Sequence, residues 1–317
     1  MRVAILDDYQ RVALQSADWS AVEARAEVTA YADHIADEVA LAERLRDTEI
    51  VVAMRERTPF PRSLFERLPG LRLLVTTGMG NAAFDMAAAR DHGVTVCGTG
   101  GLGYPTAELT WGLILASARR IPAEHAAIRD GRWQTTLGEG LNGKTLGVIG
   151  LGRLGGQVAT VGNALGMNVL AWSQNLTRER TNALAVTLAG SLDELLARSD
   201  VVTIHLVLSA RTRGLLGAAE LARMRPTAYL VNTSRGPIVD EAALVAALRS
   251  RAIAGAALDV FDVEPLPPGH PLVALDNVVL TPHVGYVTKE TYEVFYGDAV
   301  ADVLAFLDGA PVRVIAA

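Results

Sequence analysis

Three segments of this 317-residue chain end in side chains that could do chemistry together. "NTSRGPIVDEAALVAAL" (232–248) reads as a strand end, an arginine, a Gly-Pro turn and a helix that Asp240 is expected to cap. "ALDVFDVEPL" (257–266) is a strand ending in Asp259 and followed by Glu264, and "LTPHVG" (280–285) is a strand ending at His283. In open α/β sheets ligands bind at the carboxyl ends of the strands, and all three segments deliver their side chains to that edge. Arg235 offers a planar fork of donors suited to a carboxylate and a nearby carbonyl oxygen. His283 can give a proton to an oxygen that becomes a hydroxyl as hydride arrives from a nicotinamide. Glu264, paired to His283, would hold the ring's orientation and favour its protonated form. Such a set can reduce a 2-keto acid. Each residue also has a plain structural use: Arg235 as a cap or surface group, Glu264 as a solvated loop acid, His283 as a core histidine. His34, His92, His125, His205 and His270 are read as structural.

Hydride chemistry needs a cofactor site. Gly150, Gly152 and Gly155 form G-x-G-x-x-G after a short apolar strand and at the start of a helix, the context that the pattern requires. Gly150 permits the turn, Gly152 lets the backbone approach a pyrophosphate, and Gly155 allows close packing of helix on strand. The amides of Arg153 and Leu154 would face the phosphates at the helix N-terminus. About 20 residues further on, an acid usually holds the ribose. Here that place reads Trp172-Ser173-Gln174-Asn175, with no carboxylate. Ser173 keeps a hydrogen-bonding group and removes the charge that would repel the 2′-phosphate of NADP. Asn175, Thr177, Arg178 and Arg180 could then contact that phosphate, or could be ordinary solvent-facing loop residues. The cofactor is NAD or NADP, with the choice open.

The elements that must position these residues alternate from end to end. Strands are expected at 2–7, 49–54, 72–77 and 94–98, with a weaker one at 27–32 and helices at 36–45 and 83–93 between them. "GTGGLGYPT" (98–106) marks a break before a long helix through "AELTWGLILASARR". A second series follows at 145–150, 168–173, 201–206, 228–234, 253–260 and 277–282, and a helix from about 289 to 308 closes the chain. Short β-branched runs alternating with amphipathic runs mean parallel strands joined by crossover helices. The stretch 264–283 carries five prolines and is read as a stiff loop able to bring Glu264 back to His283.

Composition narrows the class. Half the residues are hydrophobic and a fifth are charged, which suits a well-buried fold and not disorder. A net charge of −6 argues against a nucleic-acid partner, which needs a basic face. Cys97 is the only cysteine, so neither an intrachain disulfide nor a cysteine metal cluster is expected, and no metal site is assigned. The N-terminus runs from a short apolar strand into two aspartates, unlike a signal peptide. The longest apolar stretch, 109–118, is about half of the roughly 20 residues that span a bilayer. A cytoplasmic protein with no membrane partner is expected.

"TTGMGNAAFDMAAARDHGV", "GLGRLGG", "NTSRGPIVDE", "ALDVFDVEPL" and "TPHVG" also occur in the order and spacing of one family. The chain resembles the D-isomer-specific 2-hydroxyacid dehydrogenases, among them phosphoglycerate dehydrogenases and hydroxypyruvate reductases. The resemblance implies two doubly wound parallel-sheet domains: a flavodoxin-like substrate domain over 1–102 plus 289–317, and an inserted Rossmann NAD(P)-binding domain over 103–288. It makes Arg235, Glu264 and His283 the catalytic set, with His283 as acid/base on a small 2-keto or D-2-hydroxy acid. The amides around Met79 and Gly80 match the substrate-carboxylate loop, and Asp259 matches a residue that contacts the nicotinamide amide. Thr106, Gln174, Leu206, Thr212, Thr233, Ser234 and Gly285 are assigned to the cofactor beside the glycine loop and Ser173. Arg55 could add a second cation for a phosphorylated or dicarboxylic substrate, or be a solvated loop arginine. Tyr286, where many relatives carry a small residue, could shape the pocket or pack on the last helix. The family implies a homodimer through the cofactor domain, and the apolar helix from Trp111 to Ala118 suits that contact. Some relatives act as NAD-sensing transcriptional corepressors, so a binding scaffold without significant turnover is the alternative. A formate dehydrogenase relative fits less well, since that branch carries glutamine where this chain has Glu264. The chain ends soon after its last helix, so the serine-sensing domain that some phosphoglycerate dehydrogenases append is not expected.

Overall fold

A computed structural model of the protein describes residues 1–315. The chain divides into two compact units, Met1–Leu102 with the segment from Val287 onward, and Gly103–Tyr286.

The first unit holds β1 (Arg2–Ile5), β2 (Glu27–Ala30), β3 (Ile50–Ala53), β4 (Leu73–Thr76) and β5 (Thr95–Gly98). They are parallel, in the order β2-β1-β3-β4-β5. This is the flavodoxin-like order. The central strands β3 and β4 are buried at every position and apolar except at Thr76, as strands covered by helices on both faces must be. The weak segment 27–32 is the edge strand β2, half-exposed along its length. The helices at Glu38–Leu45 and Met86–Asp91 start later than the apolar pattern suggests because side-chain caps set the boundary. Asp37 accepts from Ala40 N and Asp85 from Ala88 N, each at 2.8 Å. The helix Lys289–Leu307, capped by Thr288, buries Tyr292, Phe295 and Tyr296 in this unit.

The second unit holds β6 (Thr145–Ile149), β7 (Asn168–Trp172), β8 (Thr187–Leu188), β9 (Val201–Ile204), β10 (Tyr229–Asn232), β11 (Gly255–Leu258) and β12 (Val278–Leu280). All are parallel, ordered β12-β11-β10-β9-β6-β7-β8. The chain order reverses between β6 and β9, which opens the crevice where such sheets take ligands. The two-residue β8 is too short to leave a periodic signal and is seen only through its pairing with β7. The helix Pro105–Ala118 packs mainly into its own unit. Trp111, Leu113, Ile114 and Ala118 are buried within this chain, so most of its apolar surface serves its own core and only Leu115 is left exposed.

Candidate active site

Arg235, Glu264 and His283 follow β10, β11 and β12, three strands that lie side by side. His283 Nδ1 stands 2.5 Å from Glu264 Oε2. The other oxygen, Oε1, accepts from Phe261 N at 2.9 Å, so the acid is anchored to its own loop while it holds the ring. His283 adopts a left-handed backbone, φ 54°, uncommon for a residue with a Cβ and held only where neighbours over-determine it.

Asp259 supplies that constraint. Its Oδ1 accepts from Thr281 Oγ1 at 2.6 Å and Val284 N at 2.8 Å, and its Oδ2 from Gly285 N at 2.9 Å. The strap 281–285, with His283 in its middle, is thus fastened at both ends to one buried carboxylate. Burial pushes the Asp259 carboxyl up, while the bonds from Thr281, Val284 and Gly285 act in the opposite direction. A carboxylate offers about four acceptor sites, so one remains for a ligand donor such as an amide. Tyr286 packs edge-on to the histidine, ring centroids 5.7 Å apart at 72°. Arg235 is positioned by Asn232, which is buried at the end of β10. Asn232 Nδ2 donates to Arg235 O at 2.9 Å, and Asn232 Oδ1 accepts from Ser234 N at 3.0 Å. Sequence reasoning missed Asn232 and Thr281; a polar residue closing an apolar strand was the signal for the first.

The glycine loop sits between β6 and the helix Arg153–Ala164. Gly150 has φ 98°, and a Cβ there would meet His205 O at 2.5 Å. A Cβ on Gly155 would lie 2.0 Å from Gly150 O, whereas at Gly152 nothing stands within 4 Å. Two glycines therefore close the turn and the third keeps its outer side open for a bulky anion. The amides of Arg153 and Leu154 donate to nothing among the described residues, the condition for phosphate binding at a helix start. His205 backs Gly150 with its carbonyl, and burial pushes its imidazole, which meets Thr203 Oγ1 at 3.0 Å, down to about 4.

Around the crevice, Ser173 follows β7 half-buried and Gln174 is exposed. Ser234 Oγ donates to Leu206 O at 2.5 Å, joining the ends of β9 and β10. Thr233 shares a 2.8 Å hydroxyl contact with Thr110, and Thr106 Oγ1 donates to Gly285 O at 3.1 Å. Thr212 closes a local turn by donating to Val207 O at 2.7 Å. Arg180 reaches from its loop toward the glycine turn. It donates to Leu151 O at 3.0 Å and Gly152 O at 3.1 Å, bracing the glycine loop from behind.

In the first unit, Gly78, Met79 and Gly80 follow β4. Gly78, at φ 91°, donates its N–H to Thr99 Oγ1 at 2.8 Å. Met79 is exposed, and neither its amide nor that of Gly80 has an acceptor among the described residues. Asn81 Nδ2 pins the loop to Arg55 O at 2.6 Å and Thr76 Oγ1 at 2.9 Å. Arg55, itself at φ 50°, lays its guanidinium over Gly78 and donates to Thr77 O at 3.0 Å. No group of three or more His, Cys, Asp and Glu among the described residues could hold a metal, and no described helix is long and apolar enough to cross a membrane.

Residues 111–285 match the model of the D-isomer specific 2-hydroxyacid dehydrogenase NAD-binding domain. A glyoxylate reductase of Aeropyrum pernix is 44% identical over 256 residues, 78% of this chain and 76% of that protein. The chain belongs to the D-isomer specific 2-hydroxyacid dehydrogenase family. A D-3-phosphoglycerate dehydrogenase of Methanocaldococcus jannaschii is 39% identical over 253 residues, 79% of this chain, and the match spans 48% of that protein. A phosphoglycerate oxidoreductase from Vibrio cholerae superposes with a TM-score of 0.93 at 37% identity, covering 98% of this chain and 100% of that one. The family is one of NAD-dependent oxidoreductases, and the open glycine turn and the helix-start amides without an acceptor fit a dinucleotide.

Proposed function

We propose that this chain interconverts a small 2-keto acid and its D-2-hydroxy acid with NAD(H) or NADP(H), with His283 as the acid/base. The observation that carries the reading is the 2.5 Å contact between His283 Nδ1 and Glu264, on strand ends that adjoin the end bearing Arg235. When bound, the nicotinamide supplies or accepts the hydride. Glu264 engages Nδ1, so Nε2 exchanges the proton with the substrate oxygen, and Glu264 balances the charge of the imidazolium. Arg235 binds the carboxylate and the adjacent carbonyl oxygen through its fork of donors. Asp259 keeps an acceptor for the nicotinamide amide, and Tyr286 borders the substrate beside His283. In the first unit the open amides of Met79 and Gly80, with Arg55 next to them, form a loop suited to a carboxylate.

Ser173 in place of an acid supports acceptance of NADPH. Leu115, Ile121, Ile128 and Trp133 line one open hollow on the second unit, and Leu137 nearby is 93% exposed, which supports a homodimer through this domain. The protein is assigned to the cytoplasm. The test is nucleotide oxidation by the purified protein, NADH against NADPH, with glyoxylate, hydroxypyruvate, pyruvate, phenylpyruvate and 3-phosphohydroxypyruvate. Turnover of at least one keto acid is expected. Tight nucleotide binding with no turnover would favour the sensing scaffold instead.

A further inference from the structure

A second histidine–glutamate pair, His270 with Glu241, shares a loop with the first through His270 and Glu264. His270 Nε2 lies 3.0 Å from Glu241 Oε1, both side chains mostly buried. Leu272 N donates to His270 Nδ1 at 3.3 Å, so Nδ1 is an acceptor and Nε2 carries the proton toward Glu241. Glu241 Oε2 accepts from Asp262 N at 3.3 Å. Glu264, in the first pair, accepts from the amide immediately before, that of Phe261. Two carboxylates thus hold consecutive N–H groups of one turn, and each also holds a histidine.

The turn has no freedom on its other side. A Cβ on Gly236 would meet Phe261 C at 2.1 Å and Asp262 N at 2.7 Å, so the backbone next to Arg235 lies directly against this peptide. Glu241 opens the helix Glu241–Arg249 that follows Arg235, and His270 closes the loop that carries Glu264. We infer that Glu241 and His270 are a positioning pair: they lock the Glu264-bearing loop to the Arg235-bearing segment, so that Glu264 meets His283 in register. Asp240, Asp262 and Arg213 are the other charged groups about this pair, and Asp259, Glu264 and Tyr286 face His283. This rests on the reading of His283 as proton donor.

The test is keto-acid reduction across pH by Glu241→Ala, His270→Ala, His270→Gln, Glu264→Gln and His283→Ala proteins, with nucleotide affinity read by fluorescence. A small misplacement of a catalytic group costs up to about 100-fold, so Glu241→Ala and His270→Ala are expected to lower kcat about tenfold with nucleotide affinity unchanged. They also shift the pH above which reduction fails in the direction that Glu264→Gln shifts it. Glutamine at 270 can still donate to Glu241 and accept from Leu272, so His270→Gln restores the wild-type profile. Glu241→Gln, which keeps the shape and removes the charge, serves if the alanine variant fails to fold. A wild-type pH profile in the Glu241 and His270 variants, alongside an inactive His283→Ala, overturns the positioning role alone. Full turnover by His283→Ala overturns the reading beneath it as well.

Discussion

Glu264 Oε2 and His283 Nδ1 are 2.5 Å apart although 19 residues separate them in sequence. Between them the chain runs through a proline-rich turn, the short helix Pro271–Ala274 and β12 before returning to the same edge. The pairing is therefore a product of the sheet, because β11 and β12 are neighbours and each delivers one partner. The ring that results has Nδ1 held by Glu264, and its backbone sits in a conformation that a free loop would leave.

Asp259 is what keeps that conformation. Asp259→Asn places an NH₂ group opposite one of the donors it now accepts from, Thr281, Val284 or Gly285. A buried unsatisfied donor costs about 1–3 kcal/mol, so the variant should melt several degrees lower. Its turnover should fall by at least tenfold as His283 loses its register. Calorimetry and steady-state kinetics check the two effects, and a variant with wild-type kcat would show that the strap does not depend on this carboxylate.

The glycine turn makes a prediction of unusual sign. Glycine to alanine inside a helix ordinarily stabilises by about 1 kcal/mol. At Gly155 the added Cβ would sit 2.0 Å from Gly150 O, so Gly155→Ala should instead destabilise by about 1–3 kcal/mol and weaken nucleotide binding at least tenfold. Denaturant midpoints and nucleotide titration measure both. An unchanged or raised midpoint would mean that the turn relaxes without cost.

Ser173→Asp restores the acid that this position lacks. Two charges a few ångströms apart near a protein surface repel by up to about 4 kcal/mol before screening. The ratio of NADPH to NADH affinity should fall by tenfold or more, with NADH binding kept. If the ratio stays constant in side-by-side titrations, this position does not read the 2′-phosphate.

Much of this was legible because the motifs are local. The G-x-G-x-x-G turn, the strand-end Arg235 and Asp259, and the missing acid at Ser173 are each read within a few residues. Contacts made across the fold were not. Arg180 reaches back 28 and 29 residues to the carbonyls of Gly152 and Leu151, contacts that its own loop does not announce. The apolar helix Pro105–Ala118 sends Trp111, Leu113 and Ile114 into the core of its own unit, a destination that composition cannot tell from burial by a partner. Thr281 carries no signal at all; its role exists only once β11 and β12 pair.

The first unit offers a pH prediction independent of the chemistry. Asp302 is fully buried, and burial above all, with the neighbouring Asp298, raises its carboxyl to about 7 against the pull of Arg313. A folded value above the unfolded one means stability present at low pH and lost as pH rises from about 4 through about 7. Asp302→Asn should remove that slope and be the more stable protein at pH 8, by a few kcal/mol at most. Urea melts of both proteins at several pH values would show it. Parallel curves would mean that Arg313 compensates the carboxylate in full.

The central claim is that His283 moves the proton. The most direct measurement is single-turnover reduction of a keto acid by His283→Ala, beside a nucleotide titration of the same protein. Loss of a general acid of this kind costs about 10²–10⁴-fold, and nucleotide affinity should stay within about twofold of wild type. A His283→Ala protein that reduces the keto acid at the wild-type rate would contradict the account.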